Sequence, residues 1–178
     1  LEYEPDLVVW GYVFNDPAHA VFHPENAELG RYFYRPDSYF VHLLKRKLFF
    51  AAERRKRPDC PEEYHARINC IYKDVIDDGL RAIRSLVSET ETELIFMIIP
   101  VFETGGYSSY SLGYLHEDLT ERAEMNGMRV LDILPTFSKY ANSQLRTGNE
   151  DDSWFDPWHP GPFGHRLIAE QLALQIRP

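Results

Sequence analysis

Two apolar runs in this chain carry no polar alternation: Leu7-Val8-Val9-Trp10, and the stretch from Glu93 to Phe102, which reads ELIFMIIPVF. A strand with one wet face alternates apolar and polar residues, so an unbroken run predicts a strand covered on both faces, as in the interior of a parallel sheet. A third, shorter run, Met128 to Leu134 (MRVLDIL), has the same character. Between and after these runs lie long stretches with apolar residues every three or four positions. That alternation of buried strand with amphipathic helix is the βαβ rhythm, and it predicts an α/β fold of the doubly wound kind.

The helices are predicted as follows. Tyr39 to Arg57 brings Phe40, Leu43, Leu44, Leu48 and Phe49 near helical spacing, and Pro58 forbids continuation. Pro61, Glu62 and Glu63 then open one long helix carrying Ile68, Ile71, Tyr72, Val75, Ile76, Leu80, Ile83, Leu86 and Val87 on a single stripe. A helix from about Leu112 to Asn126 is stopped by Gly127, and a last one from about Pro162 to Ile176 buries Ile168, Leu172 and Ile176. With 178 residues, 44% of them hydrophobic, and neither repeat nor Gly/Ser linker, the chain is expected to form one domain, 1–178.

Charge excludes some partners. A formal net charge of -9 repels phosphate backbones, so no nucleic acid is expected. The one dense basic run, Arg54 to Arg57, closes a helical stretch, where cations complement the helix C-terminus. No run of about 18 apolar residues occurs, so no transmembrane segment is expected. The chain starts at Leu1, so a signal peptide upstream would leave no trace here, and the compartment stays open. Cys60 and Cys70 match neither a zinc nor a CxxC pattern; a disulfide between them is compatible with their spacing but not implied by it.

Chemistry in doubly wound folds sits at the C-terminal ends of the strands. The first strand runs into Gly11-Tyr-Val-Phe-Asn15-Asp16-Pro17, which puts Asn15 just past such an end. A neutral amide there can donate to a developing oxyanion without adding a titrating charge, although Asn-Asp-Pro is also ordinary turn chemistry. Near the other end stands Asp156-Pro-Trp-His159-Pro-Gly-Pro-Phe-Gly-His165. A carboxylate three residues before an imidazole, in a Pro-restricted loop, can fix its tautomer and leave the other ring nitrogen as general base.

These blocks resemble a known family. Pro5-Asp-Leu-Val-Val-Trp-Gly with Asn15-Asp16 is similar to the third conserved block of the SGNH (GDSL-type) serine hydrolases, and Asp156-Pro-Trp-His159-Pro-x-x-x-Gly-His165 is similar to the fifth. The run ending at Pro100-Val-Phe102 and the segment Gly127 to Pro135 resemble that family's later strands. The resemblance implies a three-layer α/β/α, flavodoxin-like fold, with the three strands here standing for the third, fourth and fifth of the family's parallel sheet. It implies Asn15 as side-chain oxyanion donor, His159 as general base and Asp156 as its orienting partner, in an acyl-enzyme mechanism. The family's nucleophilic Ser and a second, backbone oxyanion donor come earlier in its order. No Gly-Asp-Ser occurs here, and Pro36-Asp37-Ser38 and Asp151-Asp152-Ser153 read as turns.

The expected substrate is thus a small-molecule, carbohydrate or lipid ester, handled by a protein whose nucleophile lies on a segment not contained in this sequence. The alternatives are a non-catalytic binding module on the same scaffold, or an acyl transferase of the same fold. Tyr12, Tyr32 and Tyr34 are expected to help wall the substrate pocket. No cofactor is expected, since no Gly-rich phosphate loop follows a strand, and Asp156, His159 and His165 lack a further anchor for a metal. His19, His23, His42, His65 and His116 read as surface or helix-packing residues, and Asp132 as a strand-end residue able to hydrogen-bond near the site. The strand Leu7 to Tyr12 would form an uncharged apolar edge, expected to be covered by an N-terminal companion fragment or a second copy.

Overall fold

The computed structural model describes residues 5–17, 48, 51–52, 55, 57–103, 106–147 and 156–176. The protein is mixed α/β, and its chain divides into two compact units, Leu1–Val13 with Leu80–Pro178, and Phe14–Gly79.

The first unit is built on a parallel sheet of three strands in the order β1 (Leu7–Tyr12), β2 (Glu93–Ile98), β3 (Arg129–Asp132). Leu7 pairs with Glu93 and Tyr12 with Ile98, while Ile95 pairs with Arg129 and Ile98 with Asp132. The central strand β2 is the one covered on both faces: Leu94 to Ile98 are all buried. Each such side chain contributes about 1.5–3 kcal/mol of apolar burial, which is what an unbroken apolar run supplies. By contrast, β1 is half-exposed, with Val9 37% accessible, against the expectation of an interior strand. The physical reason is its place in the order, since among the described residues β1 has a neighbour on one side.

Helix α3 (Gly113–Met125) joins β2 to β3 and buries Leu115, Leu119 and Ala123. It ends where expected, because Gly127 takes φ 69, a left-handed conformation that only glycine adopts cheaply. After β3 come the short helices α4 (Leu134–Phe137) and α5 (Asn142–Leu145), then a small antiparallel pair, β4 (Arg146–Thr147) and β5 (Asp156–Pro160). The last helix, α6 (Pro162–Ile176), starts and ends as its sequence pattern predicts. Leu167 and Ile168 of α6 join Ile95, Met97, Phe102, Leu131, Ile133, Phe137 and Leu145 in one core cluster.

The second unit holds α1 (Tyr64–Ile71) and the beginning of α2 (Lys73–Val87). These replace the single long helix expected from the stripe. Tyr72, at φ -102 and ψ 23, leaves helical geometry between them, and the Glu63 carboxylate caps α1 by accepting from the Ala66 N–H at 2.6 Å. Among the described residues of this unit, Cys60, Ile68, Ile71 and Tyr72 form one buried cluster. Cys60 and Cys70 are joined in a disulfide, with 5.7 Å between their Cα atoms. The helix expected over Tyr39 to Arg57 falls mostly outside the described residues; Leu48, Ala51, Ala52 and Arg55 within it are helical.

Candidate functional site

His159 lies on β5 and is exposed. Its setting follows from an irregular ladder. Arg146 pairs with Pro160 and the next residue, Thr147, pairs with Asp156, so the register shifts by three residues of β5 between the two pairs. Such an irregularity releases the residues between the two pairs, His159 among them, from strict strand alternation. Asp156 is on the same strand, described by its backbone.

Two glycines explain how tightly this segment is held. The Gly161 N–H donates to Leu145 O at 2.7 Å, and a Cβ on Gly161 would lie 2.4 Å from Arg146 O. A Cβ on Gly164 would lie 2.8 Å from Leu145 O and 3.6 Å from the Phe137 ring. The Pro-x-x-x-Gly spacing after His159 therefore has a packing cause, since the start of α6 must approach the α5–β4 backbone more closely than any side chain permits. Thr147 adds a hydroxyl bond to Pro160 O at 3.3 Å. His165 opens the helical ladder, its N–H donating to Gly161 O at 2.9 Å.

Asn15 belongs to the second unit, in a turn just past the end of β1, and is half-buried. The turn is secured by Asn69, whose Nδ2 donates to Phe14 O at 2.7 Å and to His65 O at 2.8 Å. Asn69 is buried, and the sequence carried one signal for it: a polar residue inside the apolar stripe formed by Ile68, Ile71 and Tyr72. Tyr12, expected at the pocket wall, is 3% accessible and packs on Phe96 with ring centroids 5.5 Å apart. Tyr32 and Tyr34 lie outside the described residues.

At the C-terminal ends of β2 and β3 stands a group that the sequence reading passed over. His116, expected at the surface or in helix packing, is 2% accessible, and its Nδ1 lies 2.7 Å from Asp132 Oδ1. Its Nε2 lies 3.3 Å from the Tyr110 hydroxyl. Asp132 Oδ1 also accepts from the Leu134 N–H at 2.9 Å. The legible signal was His116 itself, four residues after Leu112 and three before Leu119, at core spacing on a helix.

Beside it, Tyr107 packs against Phe102, Phe137 and Tyr110, with centroids 6.2, 6.3 and 5.4 Å away. Burial pushes the Tyr107 phenol well above its ordinary range, with Arg146 pulling it down and Glu103 pushing it up. Burial does the same to Tyr110, against a hydrogen bond from the Val101 backbone, with Tyr107, Glu103 and Asp132 adding to the rise. Both phenols therefore stay protonated at neutral pH and are poor nucleophiles.

Among the described residues no helix is long and apolar enough to cross a membrane. No family model, curated protein or solved structure matches this chain.

Proposed function

We propose that this chain carries the acid–base and oxyanion-donor half of an SGNH-type serine ester hydrolase. In this reading His159 is the general base, Asp156 orients it, and Asn15 donates to the oxyanion of the tetrahedral intermediate. The observation that carries the reading is the setting of His159: an exposed imidazole on a bulged strand, opening directly into the last helix and held by two glycines that admit no side chain. The parallel sheet, with Asn15 just past the end of β1, supports it.

The reaction needs a nucleophile, and the sequence holds no Gly-Asp-Ser turn to provide one. The reading therefore assigns the serine to a segment that this sequence does not contain, on the same gene product or on a companion chain adding a strand at β1. The substrate class is a carboxylic ester of a small molecule, carbohydrate or lipid. Transfer of the acyl group to another hydroxyl would use the same residues, because water and an alcohol attack the acyl-enzyme alike.

A fluorophosphonate, which captures activated serines covalently, followed by denaturing intact-mass measurement of every polypeptide present, tests the proposal. Labelling of a companion or longer chain, abolished by His159→Ala, is the expected outcome. An unlabelled chain of 20.9 kDa and nothing else would overturn it in favour of a non-catalytic module on this scaffold, the reading that the missing Gly-Asp-Ser favours.

A further inference from the structure

The His116 group is unusual for a core. A leucine at 116 would fit the stripe of α3, bury more apolar surface and avoid desolvating an imidazole. What the imidazole offers instead is two directional bonds on opposite sides of one ring. The Asp132 carboxylate can only accept, so Nδ1 carries the proton, and in the neutral ring Nε2 is then the acceptor. Tyr110 O–H therefore donates to Nε2. The chain of bonds runs from the Tyr110 side chain, through His116 on α3, to the end of β3 and the start of α4.

The stretch from Gly106 to Leu112 is fastened a second time from outside. Both carboxylate oxygens of Glu103 hold Ser111, one on its N–H at 2.8 Å and one on its hydroxyl at 2.7 Å. The Glu103 carbonyl accepts from Asn142 Nδ2 at 2.8 Å and from the Gly106 N–H at 3.2 Å. Asn142 opens α5, which leads directly into β4, the partner of the His159 strand. The segment is thus tied on one side to β3 and on the other to the element that seats His159.

We propose that Asp132, His116 and Tyr110 form a latch that fixes the stretch from Gly106 to Leu112, ahead of α3, at the C-terminal end of the sheet, and that His116 and Tyr110 are positioning residues for substrate held there. His116 is too buried to touch substrate, so its action runs through Tyr110 and the segment it holds. The latch stands on the geometry alone; its role toward substrate rests on the ester-hydrolase reading.

The test is hydrogen exchange and NMR on the whole chain, wild type and variants. In the wild type, a His116 Nδ1 proton should resonate far downfield and exchange slowly. Tyr110→Phe keeps the ring but removes the donor, and His116→Asn keeps a donor toward Asp132 while losing the bond to Tyr110. Each should speed amide exchange from Gly106 to Ser111 by about tenfold, the worth of one lost hydrogen bond, while Ile95 to Ile98 keep their protection. Unchanged exchange in Tyr110→Phe overturns the latch, and that variant decides the matter if His116→Asn does not fold.

For the positioning role, the same variants in a serine-bearing form of the protein should raise KM more than they lower kcat. Equal loss of both, or none, overturns that role. Absence of any fluorophosphonate labelling in the wild type would overturn the hydrolase reading and the positioning role with it, while the exchange data would still decide the latch.

Discussion

Gly161 and Gly164 show how a single missing methyl group sets the place of a candidate catalytic side chain. With 2.4 Å and 2.8 Å between their would-be Cβ atoms and backbone carbonyls, Gly161→Ala and Gly164→Ala must push the start of α6 away from β4. Each should cost about 3 kcal/mol by urea denaturation, as overpacking against rigid backbone does. Gly113→Ala, with nothing within 4 Å of the added atom, should be neutral or slightly stabilising. If all three behaved alike, the packing account of the His159 motif would be wrong. The buried phenols give a second residue-scale expectation. In the native state Tyr107 and Tyr110 stay protonated above the ordinary phenol value of 10.0, so above that pH the native protein binds more protons than the unfolded chain. Their contribution to stability is therefore complete below pH 10.0 and is lost as pH rises above it. Alkaline denaturation should coincide with late ionisation of Tyr107 and Tyr110 by phenolate absorbance, and Phe at either position should lessen the alkaline loss.

Among the elements, α1 depends most on a covalent tie. Cys70 near its end is bonded to Cys60 across a ten-residue separation. Closing a loop of that size stabilises by about 3 kcal/mol through the unfolded chain. Reduction, or Cys60→Ser with Cys70→Ser, should therefore expose the amides of Tyr64 to Ile71 to exchange while β2 and β3 keep their protection. Loss of protection in both together would show that the disulfide serves the whole chain instead. The elements also differ in how they could be read. Helices α3 and α6 were legible because a glycine and a proline mark their ends on a regular stripe. The break at Tyr72 was not, because the apolar stripe runs on through it.

For the whole molecule, the consequential feature is the edge of the sheet. β1 is apolar and uncharged and, among the described residues, is hydrogen-bonded on one side by β2. Such a strand offers a row of backbone donors and acceptors to another strand. The expected outcome by light scattering and native mass measurement is a second copy or a companion polypeptide, and Val9→Lys, at an exposed position on that strand, should shift the population to monomer. A monodisperse wild-type monomer with no companion would remove the argument for a partner at β1.

The sequence by itself determined the three strands of the parallel sheet, their order along the chain and the two clearest helices, while the stretch Asp156 to Pro160, expected as a loop, is strand β5. Each element so determined rests on local period, on glycine and proline, or on residues close in the chain. Only the tertiary structure decided that β2 and not β1 is the covered strand, since coverage depends on neighbours that no local pattern records. It likewise brought His116 to Asp132 and Asn69 to Phe14, pairs separated by 16 and 55 residues. A polar residue on an apolar face announces that a partner is required, because burying it alone is costly, but which partner meets it is settled by how the elements pack.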